Sequence, residues 1–353
     1  MSSQIIKFCF YRFDCPRFLS GAYFHIYAMR SIPIVVIIIF FSAACTSEID
    51  IDVPRGEPEI VVNSLITNDK PCELYLTRTI SINQNDYPII DNANVFLVND
   101  IDGFIYDTLK YFKNSIYKGT KILNLNTTYR LLVRIDNKEV SAKTYIPSPV
   151  PILSAELINP SGFDEYGDPI LEYRISFEDP LFQENFYELF FINYSYNTFG
   201  SLISESSSIR SNEFLVYIDP IIESEGLEDY ENNSLIFSDK LFNGELTQLS
   251  FKYYNSGRDG KVGSLIDSSE VEIRKTYALL RSVSKEYFNY RKSWTIHRYT
   301  QQNKPAALEK EPLVTDFSRF LFVGDPVTMK SEVINGLGLF AGYSQNAREI
   351  EKK

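Results

Sequence analysis

From Glu59 onward, apolar and polar residues alternate in short runs separated by turn-forming residues, the period of strands with one buried face. Ile60-Val61-Val62 and Ser64-Leu65-Ile66 open the series, and Asn68-Asp69-Lys70-Pro71 turns the chain into Glu73–Ile82. Ala93–Val98 is a further strand, closed by Asn99-Asp100-Ile101-Asp102-Gly103, whose Asn, Asp and Gly favour a tight turn. Tyr129–Ile135 and Glu139–Tyr145 form a hairpin across Asp136-Asn137. Strands this closely spaced, with no helical period between them, predict a β-sandwich over residues 59–147. Pro147, Pro149 and Pro151 follow at every second position, where proline cannot donate to a ladder, and a domain junction is expected there. Residues 152–353 read as a second, mainly-β domain, with strands at Leu153–Ile158, Leu171–Phe177, Tyr187–Tyr196, Phe214–Ile218, Leu235–Phe237, Leu246–Tyr254 and Val271–Leu280. One helix is expected near 284–300. Ser284 is its N-cap, Glu286 favours the helix dipole, and Tyr287, Tyr290, Trp294 and His297 recur at steps of three and four. That stripe is expected to pack on the sheet. The predicted fold class is mainly β, two tandem sandwich-like domains, the first immunoglobulin- or transthyretin-like.

The N-terminal segment follows a different pattern. Met29-Arg30-Ser31 leads into the nearly all-apolar run Ile32–Phe41, then Ser42, Ala43, Ala44 and Cys45. A basic start, a short apolar core and small residues before a cleavage point make a secretory signal. With Cys at the first mature position it resembles a bacterial lipoprotein signal, although Ser42 stands where Leu is commonest. An ordinary signal peptide is the other reading, and so is a membrane span, but a spanning helix needs about 20 apolar residues. Residues 1–44 are therefore expected to be removed, with 1–28 an upstream extension of a true start at Met29. Residues 45–58 (CTSEIDIDVPRGEP) then form an acidic tether, lipidated with palmitate or a similar acyl chain on Cys45.

Charge and cysteine content narrow the function classes. The full chain carries 35 basic and 46 acidic residues, a net charge of −11. Removing the four basic and one acidic residues of 1–44 leaves 31 against 45, a net −14. Such a surface argues against nucleic acid and against an electrostatic grip on anionic lipid, so membrane attachment would rest on the acyl chains. Beyond Cys45 only Cys72 remains, so no intramolecular disulfide can form in the mature chain. Cys72 lies in an alternating strand pattern and reads as a small core residue.

Little catalytic chemistry is available. His297 is the single histidine after residue 45, and no nucleophile elbow, P-loop or dinucleotide fingerprint occurs. Asn99–Gly103 and Asp164-Glu165-Tyr166-Gly167-Asp168 could bind calcium by composition, but both read more simply as hairpin turns. Paired carboxylates for glycoside hydrolysis are too numerous to be informative. The expectation is of a protein that is not an enzyme and carries no cofactor or metal.

Two segments resemble a known family. They are Asn335-Gly336-Leu337-Gly338-Leu339-Phe340-Ala341-Gly342-Tyr343 and Leu280-Arg281-Ser282-Val283-Ser284-Lys285-Glu286-Tyr287-Phe288-Asn289-Tyr290. With Glu48–Asp52 and Ile60–Thr67, they resemble the Bacteroidota envelope family catalogued as domain of unknown function 4249. Glu48, Asp50 and Asp52 also resemble a surface-export signal. Ala93–Pro147 is similar to transthyretin-like modules in its Asp102-Gly103 turn and Tyr129 strand, but it lacks the usual Gly before that Tyr. What the family resemblance implies is an outer-membrane lipoprotein acting beside a TonB-dependent transporter, as an accessory or ligand-binding partner. A structural or adhesive envelope role is the alternative, and a carboxylate-based hydrolase a weaker third. The glycine run is expected to form a closing edge strand, with Gly336, Gly338, Phe340 and Tyr343 as a sharper option for docking a partner.

Overall fold

The computed structural model describes residues 57–80, 88–181, 183–197, 199–207, 215–217, 219–227, 234–254, 273–302 and 328–353. Cys45, the signal segment and nearly all of the tether lie outside these residues. Glu57–Lys353 form one compact unit whose cores are built from its own residues.

The first seven strands are β1 (Ile60–Ile66), β2 (Pro71–Arg78), β3 (Asn94–Asn99), β4 (Ile105–Lys113), β5 (Ile116–Ile122), β6 (Thr127–Ile135) and β7 (Lys138–Ile146). They hydrogen-bond in the order β1-β2-β5-β4-β3-β6-β7. β4 turns a corner, pairing with β3 through Leu109 and with β5 from Lys110 onward. Alternate residues point inward, among them Val62, Leu74, Leu76, Val95, Leu97, Tyr117, Tyr129, Leu131 and Val133, all essentially without exposure. They make a single core. β4 and β5 are absent from the sequence-based strands: Lys110, Lys113, Lys118 and Lys121 and the adjacent Tyr111-Phe112 obscure their alternation.

The remaining elements are β8 (Ile152–Phe163), β9 (Pro169–Glu178), β10 (Phe186–Tyr196), β11 (Leu202–Ser207), β12 (Leu215–Tyr217), α1 (Pro220–Glu223), β13 (Leu235–Ser238), β14 (Leu246–Tyr254), β15 (Ile273–Val283), α2 (Lys285–Gln302), β16 (Leu337–Glu349) and β17 (Glu351–Lys352). One layer has the order β12-β14-β9-β8-β17, and the other contains β11, β10, β15 and β16, with β13 also on β10. Ile175, Phe177, Leu249 and Phe251 from the first meet Tyr187, Leu189, Phe237 and Leu280 from the second in a shared core. This is sandwich packing. Helix α2 covers the other face of the second layer, where Tyr287 and Phe288 pack with Phe186, Ile236, Val283 and Ala341. Buried on both faces, β10 therefore reads FYELFF without alternation.

Ser284 caps α2, its Oγ accepting from Tyr287 N–H at 3.3 Å. The sheet-facing side differs from the expected aromatic stripe. Tyr287 is buried, but Trp294 lies half-buried between the Arg291 and Arg298 guanidinium groups, 5.1 and 5.3 Å from its ring.

The cores divide near the proline segment: one uses Ile60–Ile146 and the other starts at Val150. Strand β16 links the two: it contributes Phe340 to the first core and pairs with β15, which lines the second. Leu337–Gly342 run parallel to Val61–Ile66 of β1, and Tyr343–Glu349 run antiparallel to Tyr277–Val283 of β15. The Gly336–Tyr343 stretch is thus an internal connector rather than the closing edge expected from sequence.

Candidate functional site

β16 runs beside both β1 and β15. Its thirteen residues, at about 3.3 Å per residue, cover roughly 40 Å, from beside Val61 to beside Tyr277. β10 continues outward, since Tyr277 pairs with Ile192 and Ile273 with Tyr196. Glu57 lies at the opposite end, next to the β6–β7 turn, where Lys138 reaches it at 3.5 Å.

The far end is made of hairpin tips. Ring contacts place them together: Phe177 packs on Tyr187 at 5.4 Å, and four residues along both strands Tyr173 packs on Phe191 at 4.8 Å. β9 and β10 therefore bring the β8–β9 and β10–β11 turns to one end. The two turns share a construction. Asp164 Oδ1 accepts from the backbone N–H of Tyr166 (2.9 Å) and Asp168 (2.8 Å), and Gly167 has φ +85°. Asn197 Oδ1 accepts from Phe199 (3.0 Å) and Ser201 (2.8 Å), and Gly200 has φ +77°. In each, the side chain that locks the loop pushes an aromatic two residues later into solvent. Phe199 is 91% exposed, Tyr166 83% and Phe163 65%. The β3–β4 turn repeats the first part of this arrangement, with Asn99 Oδ1 accepting from exposed Ile101 at 3.0 Å. Both sequences weighed for calcium are therefore turns whose first Asx side chain is bonded to backbone N–H groups. Among the described residues no three His, Cys, Asp or Glu side chains are grouped to hold a metal ion.

The buried carboxylates are engaged in holding the fold. Glu188 accepts from Tyr287 Oη (2.7 Å), Ser234 Oγ (2.6 Å) and Arg281 (3.1 Å), with Arg291 at 3.5 Å. Glu225 accepts from Lys292 Nζ (2.7 Å) and from Ser238 Oγ (2.6 Å) and N–H (2.9 Å). Burial alone would raise its pKa, but these donors outweigh burial and hold it below the ordinary carboxylate range. Glu172 is balanced in the same way, burial opposed by Arg174 and Ser250. A crevice between α2 and β16, lined by Lys143, Glu286, Lys330 and Glu332, has about 10 Å³, room for about one water.

Phe340 is in the first core, and a Cβ on Gly338 would stand 2.0 Å from Val62 O and one on Gly336 2.7 Å from Ile60 O. Tyr343 is half-buried under Arg281, 4.8 Å from its ring. The fold itself absorbs these four; Cys45 lies outside the described residues. Sequence reasoning passed over Phe163, Tyr166 and Phe199. Their signal was an aromatic set inside Gly, Asp and Asn turn chemistry, where no inward strand position exists.

A family model described as Domain of unknown function (DUF4249) matches residues 46–349. No curated protein matches. Similar solved structures include a DUF4785 family protein from Legionella pneumophila (11% identity, 63% of this chain and 52% of that one, TM-score 0.22). A Salmonella alpha-2-macroglobulin (11%, 66% and 14%, 0.23) and bovine butyrophilin (7%, 64% and 92%, 0.20) are others. The chain thus spans about half of the first and a seventh of the second. These similarities are too loose to fix fold or function.

Proposed function

We propose that this chain, which belongs to the family described as Domain of unknown function (DUF4249), is a lipid-anchored outer-membrane protein that serves a TonB-dependent transporter as an accessory or ligand-binding partner. One observation carries the reading: among the described residues the two most exposed aromatics, Phe199 and Tyr166, sit on locked hairpin tips at the end of the unit farthest from Glu57, with exposed Phe163 beside them. The chain before Glu57 leads back to Cys45, so acylation there would hold one end at the membrane and present the tips to a partner. Rigid turns bearing large amphipathic side chains lose little conformational entropy when they bind. The reading is of a binding protein rather than an enzyme, because the buried carboxylates described above are spent on Arg, Lys, Ser and backbone donors.

The test is isolation of the native protein from detergent-solubilised envelope, with mass spectrometry of what accompanies it. A barrel transporter is expected with the wild type and is expected to be lost with Phe163→Ala, Tyr166→Ala and Phe199→Ala combined. Recovery of the protein alone would turn the reading toward a structural envelope role, for which two cores joined through β16 are equally serviceable.

A further inference from the structure

The acidic balance of the whole chain conceals a basic, apolar surface at its other end. The β4–β5 turn is level with the start of β1. Tyr75 pairs with Asn63 on one side and Ile116 on the other, and Leu76 N–H donates to Ser115 O at 2.9 Å. This is the end at which Glu57 joins the fold. The turn exposes Tyr111 and Phe112, the latter 54% exposed. Ile90 N–H donates to Ser115 Oγ at 2.9 Å, bringing Ile89 (63% exposed) alongside.

Lysines ring this apolar group. Lys118 Nζ lies 4.5 Å and Lys113 Nζ 5.4 Å from the centre of the Phe112 ring. Lys110 and Lys118 are directly opposite each other in the ladder, an unfavourable placement of like charges. Nearby carboxylates are already engaged: Glu73 with Lys118, Asp136 with Arg78, Glu139 with Arg134 and Glu57 with Lys138. Asp107, the hairpin's own acid, is buried and accepts from the backbone N–H of Thr108, Thr120 and Lys121. Among the described residues Lys110 and Lys113 have no carboxylate partner. Among the described residues, Glu59 and Asp91 are the acidic residues of this end outside those pairs.

We propose that this hairpin rests the protein on an anionic phospholipid surface. Aromatic and aliphatic side chains at headgroup depth, with lysines beside phosphate, are the chemistry of interfacial binding. The proposal rests on the anchoring reading at Cys45 for its geometry, because that anchor would bring this end to the bilayer. It makes the membrane contact two-point, acyl chain and hairpin together, and so orients the distal tips outward.

The test uses the chain from residue 46 on, which keeps the whole compact unit and lacks Cys45. Co-sedimentation is measured with vesicles of neutral phosphatidylcholine, and with vesicles in which about a quarter is phosphatidylglycerol. Binding is expected on the anionic vesicles only, weakening with salt, and falling roughly tenfold in Lys110→Glu with Lys113→Glu. Phe112→Ala is expected to weaken it several-fold, with circular dichroism unchanged in all variants. No binding, equal binding to neutral vesicles, or insensitivity to these substitutions overturns the proposal. Palmitate labelling of the full chain, compared with Cys45→Ala, tests the anchor separately, so the two failures are distinguishable.

Discussion

Gly338 sits at φ +110° with the Val62 carbonyl where a Cβ would be, so both backbone conformation and space demand glycine. Gly338→Ala is expected to cost roughly 3 kcal/mol or more in urea denaturation, since side chain and carbonyl cannot share that volume. A loss under about 1 kcal/mol would show that β1 and β16 can separate locally. Cys72 makes a different residue-scale statement. Burial is the main force pushing its thiol up to about 12, opposed by Ser64 and aided by Asp107 and Glu73. The thiol is therefore expected to stay unreactive toward disulfide reagents at pH 8 until the fold opens. Its labelling rate then reports global unfolding; fast labelling under native conditions would contradict the packing described here.

At the scale of the element, α2 is held by charge as well as by its apolar face. Glu225 meets Lys292, and Glu188 meets Arg281, Arg291 and Tyr287, all between the helix and the layer beneath. The Glu225 carboxyl titrates below its ordinary value of 4.5 in the folded protein. Its contribution is thus fully present above the unfolded value and is lost as pH falls through the folded one. Trp294, the single tryptophan, reports on this helix. Its emission is expected to change on acidification through the lowered carboxylate range, and Glu225→Gln is expected to flatten that dependence. An unaltered acid profile in the variant would assign the transition to other carboxylates. Lys292→Met is expected to cost roughly 3 kcal/mol, because it leaves a buried carboxylate unpaired.

For the whole molecule, β16 joins the two cores. Its first half completes the layer that contains β1, and its second half lies beside β15, while Ile350 enters the second core. Ending the chain at residue 336 is accordingly expected to leave neither sandwich cooperatively folded. Circular dichroism and limited proteolysis provide the readout. A protease-resistant fragment covering 57–146 in the truncated chain would show that the first core is self-sufficient. Much of this organisation was legible beforehand. β1, β6, β7 and β10 and the cap at Ser284 follow from period and turn chemistry. β4 and β5 were not legible, because a lysine-rich hairpin at a sheet corner keeps no clean alternation. Nor was the role of β16, since glycine needed for close backbone approach looks the same in sequence as glycine at an open edge.

The amino-acid order by itself determined the mainly-β class, the turns, the start of α2 and the family resemblance. Each of these depends on neighbours within a few residues, where φ, hydrogen-bonding capacity and apolar period act directly. Only the tertiary structure decided that β16 pairs with both β1 and β15, that Phe163, Tyr166 and Phe199 share one end, and that Lys110, Lys113 and Phe112 face the other. Those relations join residues tens to hundreds of positions apart. They are set by which buried faces fit together, and no local pattern encodes that.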